Sequence, residues 1–339
     1  MKPSLSTFSG LYRRDLLAAA IAGGSLPFAR LAQAQPQPTT VNEVWTDAAH
    51  QRDIPVKVRW PSAIAAVPPQ GHPVVIFSHG LGGTTDSGTV WGEAWASAGF
   101  VVLHLQHAGS DLPAVLAVAS SFSDRAALRT LISAKQLLSR LQDVSFALDE
   151  VARRHTAARA GWARVRPAAV GLSGHSYGAR TALGMAGQHY AGFAEVNEPR
   201  LASFIAFSPT LPVFGNVSQA FARLTRPVLC VTGTRDDDVV GVGATAERRM
   251  GVFAALPAGG KAHLVLKDAD HQTFGGQRGR AVEMVPRALV SRDLQAQQHA
   301  VIAALTTDWW RATLLQDAEA MARLEKPAGL APDDLWERR

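Results

Sequence analysis

Ser176 sits in the pentapeptide Gly174-His175-Ser176-Tyr177-Gly178, directly after an apolar run, "RPAAVGLSG", and directly before a helix-patterned segment, "ARTALGMAGQ". Glycine and serine are common in turns, so the pentapeptide alone settles little. A strand-to-helix setting changes its meaning. There the pattern makes a sharp turn that lifts the hydroxyl off the sheet edge, with glycines on both sides keeping Cβ atoms out of the crowded backbone. A serine hydroxyl is a weak nucleophile at neutral pH and needs a base that is itself oriented by an acid.

The partners of such a serine are expected later in the chain, in the order acid then histidine, each at the carboxyl end of a strand. "VLCVTGTRDDDVV" ends one strand in three aspartates and "HLVLKDADHQTF" ends the next at His271. Of the 11 histidines, His271 alone follows the acid strand at a strand end; His263 falls within the start of that strand. Among Asp236, Asp237 and Asp238, the first off the strand has the shortest reach to a neighbouring strand, so Asp236 is the favoured orienting acid. The other two read as loop carboxylates or helix N-caps. Asp270 reads as stiffening the His271 loop.

Acyl transfer through a serine also needs two backbone N–H donors for the oxyanion. One is expected at Tyr177, immediately after the nucleophile. The other is expected at Leu81 in "FSHGLGG", after an early strand, with His79 a structural hydrogen-bonding residue of that loop.

The elements that must position these groups follow from the apolar pattern. "VNEVWTDAAHQRDIPVKVRW" suggests two strands around a turn. "HPVVIFSHG", "GFVVLHLQH", "RPAAVGLSG", "LASFIAFSP", "RPVLCVTGT" and "KAHLVLKDADH" have the length and β-branched content of buried strands, and amphipathic stretches alternate with them. This predicts an α/β fold: a mostly parallel central sheet flanked by helices. The connection over residues 108–166 is long enough for a helical excursion above the sheet's carboxyl edge before the nucleophile strand. One long C-terminal helix, about "QAQQHAVIAALTTDWWRATLLQDAEAMARLE", should close one face.

The set "FSHGLGG", "GHSYG", "GTRDD" and "DADH", in this order, resembles the α/β-hydrolase superfamily. More narrowly, "HPVVIFSHGLGG…WASAGFVVLHLQHAGSD" followed by "GLSGHSYGA" is similar to the platelet-activating-factor acetylhydrolase and dienelactone-hydrolase-like branch. The likeness runs from about Asn42 to the C-terminal helix. It implies Ser176 as nucleophile, His271 as base, Asp236 as acid, and Leu81 with Tyr177 as oxyanion donors, in a serine hydrolase of carboxylic esters that needs no metal or organic cofactor. Dienelactone hydrolases carry cysteine where this chain has Ser176, and the 108–166 excursion departs from the pattern. An acyltransferase using the same residues, or a non-catalytic binding protein on this fold, are the alternatives.

Composition bounds the remaining classes. Arg13-Arg14, the apolar run Leu16 to Ala22 and the Ala32-Gln33-Ala34 exit form an export signal of twin-arginine type over residues 1–34, implying a periplasmic or secreted product. Its apolar part is far shorter than the roughly 20 residues a spanning helix needs. A polar leader is expected over residues 35–40, a single domain over 41–325 and a tail over 326–339.

The formal charge of +6 includes +3 from Lys2, Arg13, Arg14 and Arg30 against Asp15. The remainder, +3 without long basic blocks, does not indicate nucleic acid; the expected partner is a small-molecule or lipid-like ester, with no stable membrane insertion. Cys230, the only cysteine, excludes an intrachain disulfide. His104 and His107 fall at an odd offset along a strand, which turns them to opposite faces and argues against a shared metal. Trp91 and Trp95 read as core, "GVGATA" lacks the strand of a dinucleotide fingerprint, and Trp309-Trp310 reads as either packing or an exposed rim.

Overall fold

The computed structural model describes residues 38–62, 68–190, 194–278 and 287–339. The expected export signal lies outside these residues, as do positions 35–37 of the expected leader. Thr39 and Thr40, read as leader, instead open the first strand, because their backbone pairs with Trp60 and Arg59.

Strands β1 (Thr39–Asp47) and β2 (Arg52–Trp60) form the expected hairpin. They are followed by β3 (His72–Ser78), β4 (Val101–Leu105), β5 (Val165–His175), β6 (Leu201–Phe207), β7 (Val228–Arg235), β8 (Lys261–Asp270) and β9 (Leu335–Arg338). The sheet order is β1-β2-β4-β3-β5-β6-β7-β8-β9. The run β4-β3-β5-β6-β7-β8 is parallel, and the hairpin and β9 pair antiparallel at the two ends.

Burial on both sides explains the continuous apolar strands. Along β3, Val74 and Ile76 enter one core with Leu137, Leu141 and Leu183, while Val75 and Phe77 enter the other with Trp91, Trp95 and Trp310. This is the period of two expected of a strand covered on both faces. The first core lies under α4 (Ala134–Thr156) and α5 (Tyr177–Met185); the second lies under α1 (Thr89–Ser97) and α9 (Leu289–Leu314).

Trp309 and Trp310 are packing residues. Trp310 meets Trp95 edge-to-face with ring centroids 5.8 Å apart, and Trp309 Nε1 donates to Ser203 Oγ at 3.0 Å.

Two expectations at the C-terminus are corrected. The single long helix is two, α9 and α10 (Ala318–Glu325). Gln316 adopts φ 55° between them, and the Asp317 carboxylate accepts from the Glu319 and Ala320 amides to start the second. The expected tail contains β9, which covers the outer edge of β8. Lys261 and Arg339 exchange both backbone hydrogen bonds at 2.9 Å, leaving β8 no open edge there.

The 108–166 excursion contains α2 (Leu112–Val118) and α3 (Arg125–Thr130) ahead of α4. Each helix is started by a side-chain cap, Asp111, Asp124 and Ser133 in turn. Val115, Ala119 and Leu128 form a small core of their own against Leu81, Phe122 and Val240, which sets the two short helices beside the loop after β3.

Candidate active site

The parallel strands end in a common direction, so the residues that follow β5, β7 and β8 gather along one edge of the sheet. Ser176 comes first. Its backbone has φ 57° and ψ −112°, outside the regions open to ordinary L-residues, and α5 begins at the next residue. The turn closes this tightly only because both flanking positions are glycine. A Cβ at Gly174 would run into the carbonyl of Gly178, and one at Gly178 into the carbonyl of Ser78.

Asp236 follows β7 and is fully buried. One oxygen accepts from His271 Nδ1 at 2.7 Å, and the other accepts from Thr232 Oγ1 at 2.8 Å. Arg249, on α7 (Ala246–Ala255), lies 3.1 Å from the same carboxylate and donates to the Asp236 carbonyl at 2.9 Å. Burial alone would raise this carboxyl's pKa. The Arg249 charge and the His271 contacts outweigh burial and hold it well below the usual carboxylate range.

His271 starts the short helix α8 (His271–Phe274). Its pKa lies below the ordinary imidazole value, first through burial and then through Arg249, with the Asp236 carboxylate pulling the other way. The neutral ring therefore carries its proton on Nδ1, toward Asp236, and offers Nε2 as acceptor.

The loop that carries this histidine is pinned from several sides. Asp270 and Thr273 form a reciprocal cap, and Arg287 makes a two-point contact with Asp270 at 2.7 and 2.8 Å. Trp91 Nε1 donates to the Phe274 carbonyl at 3.1 Å. Asp270 thus stiffens the loop, as its position beside His271 implied.

Asp237 and Asp238 lie away from His271. Asp238 accepts from the amides of Val240, Gly241 and Gly243, so the two glycine amides of "GVGATA" are already engaged. Thr245 is the N-cap residue of α7, the position expected for one of these aspartates, while Asp237 accepts from the amide of Ala246, the first residue of that helix, at 3.4 Å.

The two expected oxyanion donors flank the serine. Tyr177 is the first residue of α5, where an N–H has no intrahelical acceptor and forms part of the positive end of the helix dipole. Beside Leu81, the amides of Gly82 and Gly83 are bound to Ser110 and Gly80. The Leu81 amide has no backbone acceptor among the described residues.

Ser176, His175, His271 and Leu81 all line one cavity of about 460 Å³. Leu112, Phe122, Leu128, Val239 and Val240 make its apolar side, and Thr84, Thr89, Gln272, Gln277 and Arg278 its polar side. A larger groove of about 740 Å³ runs past Trp45, Leu141 and Arg154, but neither the serine nor the histidine–aspartate pair lines it.

A nine-stranded, largely parallel sheet with a strained serine between β5 and its following helix, and an acid and a histidine after later strands, is now in place. The solved structure of a ferulic acid esterase from Streptomyces cinnamoneus aligns with it at a TM-score of 0.57, with 19% identity, over 91% of this chain and 98% of that chain. The fold is that of the α/β-hydrolases. A family model for platelet-activating factor acetylhydrolase, isoform II, matches residues 34–150 of this chain. That stretch carries the "FSHGLGG" loop and ends before Ser176. No curated protein sequence matches the chain.

Some site residues had no sequence signal of their own. Arg249 is a basic residue in an ordinary amphipathic helix, and only the packing of α7 beside β7 brings it to Asp236. His175 was visible merely as the variable position of the serine motif. Its Nε2 donates to the His271 carbonyl at 3.0 Å, and the two rings stand 4.6 Å apart. His104 and His107 serve separate networks, the first bonded to the Ser87 carbonyl and the second to Ser78 and Asp143. Among the described residues no group of three potential ligands is arranged to hold a metal ion, and no helix is long and apolar enough to cross a membrane.

Proposed function

We propose that this chain is an exported serine hydrolase that cleaves carboxylic esters through an acyl-enzyme intermediate. The observation that carries the reading is that Ser176, on its strained turn, lines one cavity together with His271, the ring that Asp236 holds from behind. Ser176 Oγ attacks the ester carbonyl while His271 Nε2 takes its proton, and Asp236 stabilises the imidazolium and keeps the ring oriented. The amides of Leu81 and Tyr177 receive the oxyanion. His271 then protonates the departing alcohol. A water molecule, deprotonated by the same ring, attacks the acyl-serine and releases the acid, restoring Ser176.

The names of the matched family and of the aligned structure, an acetylhydrolase and an esterase, support ester hydrolysis. The cavity's division supports a substrate with one apolar limb, sized to the space between Phe122, Leu128 and Val240, and one limb able to hydrogen-bond with Gln272, Gln277 or Arg278. The sequence pattern of residues 1–34, Arg13-Arg14 before a short apolar run and Ala32-Gln33-Ala34, supports a periplasmic or secreted location.

Chromogenic esters of graded acyl length, assayed with the wild type and with Ser176→Ala, test the reading. Wild-type turnover with labelling of Ser176 by a fluorophosphonate is expected, and both are lost in the variant. Undiminished hydrolysis by Ser176→Ala would overturn it.

A further inference from the structure

A second serine–histidine–aspartate array lies beneath the candidate site. Ser78 Oγ is 2.9 Å from His107 Nε2, and His107 Nδ1 is 2.8 Å from Asp143 Oδ2. All three are buried, and Arg140, also buried, donates to the same serine oxygen at 3.0 Å. A hydroxyl that accepts from a guanidinium and is sealed from solvent is not a nucleophile. The array needs another explanation.

Its connections lead to the two expected oxyanion donors. On one side, Arg140 Nη2 also bonds the His79 carbonyl, and the backbone amide of His107 donates to His79 Nε2 at 2.9 Å. His79 Nδ1 in turn donates to the Gly80 carbonyl at 2.6 Å. That carbonyl and the Leu81 N–H belong to one planar peptide, so fixing the carbonyl fixes the direction of the N–H. On the other side, Arg140 Nε donates to Thr181 Oγ1 at 2.9 Å, one turn into α5, and the guanidinium lies 4.7 Å from the centre of the Tyr177 ring. Asp143, a turn further along α4 and itself paired with Arg52 at 2.5 Å, supplies the counter-charge.

We infer that Arg140 is a positioning residue for the oxyanion hole: from α4 it ties the His79–Leu81 loop to the start of α5 and so sets the spacing and direction of the Leu81 and Tyr177 amides, with Ser78, His107 and Asp143 as its polar seat. Burial lowers the guanidinium pKa to about 10, which leaves it charged at neutral pH. A buried charge of this kind is costly unless every donor is placed, which is why the seat is so fully connected. The inference rests on the serine-hydrolase reading and adds to it the residue that holds the donors in register.

The test compares wild type, Arg140→Met, Arg140→Lys and Thr181→Val in kcat per active site, with sites counted by fluorophosphonate titration. KM and inhibition by a trifluoromethyl ketone, which forms a tetrahedral adduct, are measured in parallel. A displaced donor is expected to lower kcat per titrated site in Arg140→Met by about tenfold to a hundredfold. Ketone inhibition should weaken by the same factor while KM stays within about twofold, and Arg140→Lys should recover part of the loss. Should Arg140→Met fail to fold, Arg140→Lys and Thr181→Val show smaller losses of the same pattern. A kcat per titrated site equal to wild type in these variants, or a loss carried by KM alone, would overturn the inference whatever happens to thermal stability. If instead the wild type neither labels at Ser176 nor turns over any ester, the underlying reading fails first and takes the inference with it.

Discussion

His271 Nδ1 and Asp236 Oδ1 lie 2.7 Å apart although they are separated by 35 positions in the chain, each at the end of one of two neighbouring parallel strands. The contact fixes which ring nitrogen carries the proton. Replacing the carboxylate with an amide leaves the shape but lets the ring adopt the wrong tautomer. Asp236→Asn is expected to lower kcat by about 10³- to 10⁴-fold with little change in the folded structure, read by steady-state kinetics alongside circular dichroism.

The environment of His271 makes a pH prediction. Its pKa is below the ordinary value of about 6.5, so the neutral, proton-accepting form persists to more acidic solution. The acid limb of kcat/KM should therefore have its midpoint below pH 6.5. Arg249 is one cause of the lowering, and Arg249→Met should move that midpoint upward. A limb that stays fixed in the variant, or that begins above 6.5 in the wild type, counts against this assignment.

The backbone at Ser176 offers a separate test of stored strain. A non-glycine residue at φ 57°, ψ −112° costs about 1–3 kcal/mol. Glycine relieves this while giving back part of the gain through its greater freedom when unfolded. Ser176→Gly should thus be more stable than Ser176→Ala by about 1 kcal/mol in denaturant unfolding, with both inactive. Equal stability would mean the turn is not strained.

At Gly178 the effect has the opposite sign. The Cβ of alanine would meet the Ser78 carbonyl, and the backbone of neither β3 nor α5 can withdraw without disturbing the sheet. Gly178→Ala is expected to destabilise the protein by about 3 kcal/mol and to remove activity, seen as a lowered unfolding midpoint.

Phe122 bounds the apolar side of the cavity and packs against Gly82, next to Leu81. Phe122→Ala should open that side and move the optimum of an acyl-length series toward longer chains. An unchanged optimum would place the acyl limb elsewhere.

The local pattern of the chain was sufficient for the first eight strands, for a mostly parallel sheet and for the candidate nucleophile. Apolar runs and glycine-framed turns are properties of neighbouring residues, and the order of serine, aspartate and histidine is read directly along the chain. Choosing Asp236 over Asp237 and Asp238 needed only its place at the strand end. The break between α9 and α10 and the strand β9 were hidden, since a positive φ at Gln316 and the pairing of four residues with a distant edge carry no strong local signal.

Only the tertiary structure decided what surrounds the reacting groups. It put Arg249 against Asp236, His175 under the His271 backbone, and Arg140 between the His79–Leu81 loop and the start of α5, which lie far apart in the chain. Those contacts depend on how helices α4 and α7 dock on the sheet. Docking is set by the summed packing of many side chains, so no single stretch of residues encodes it.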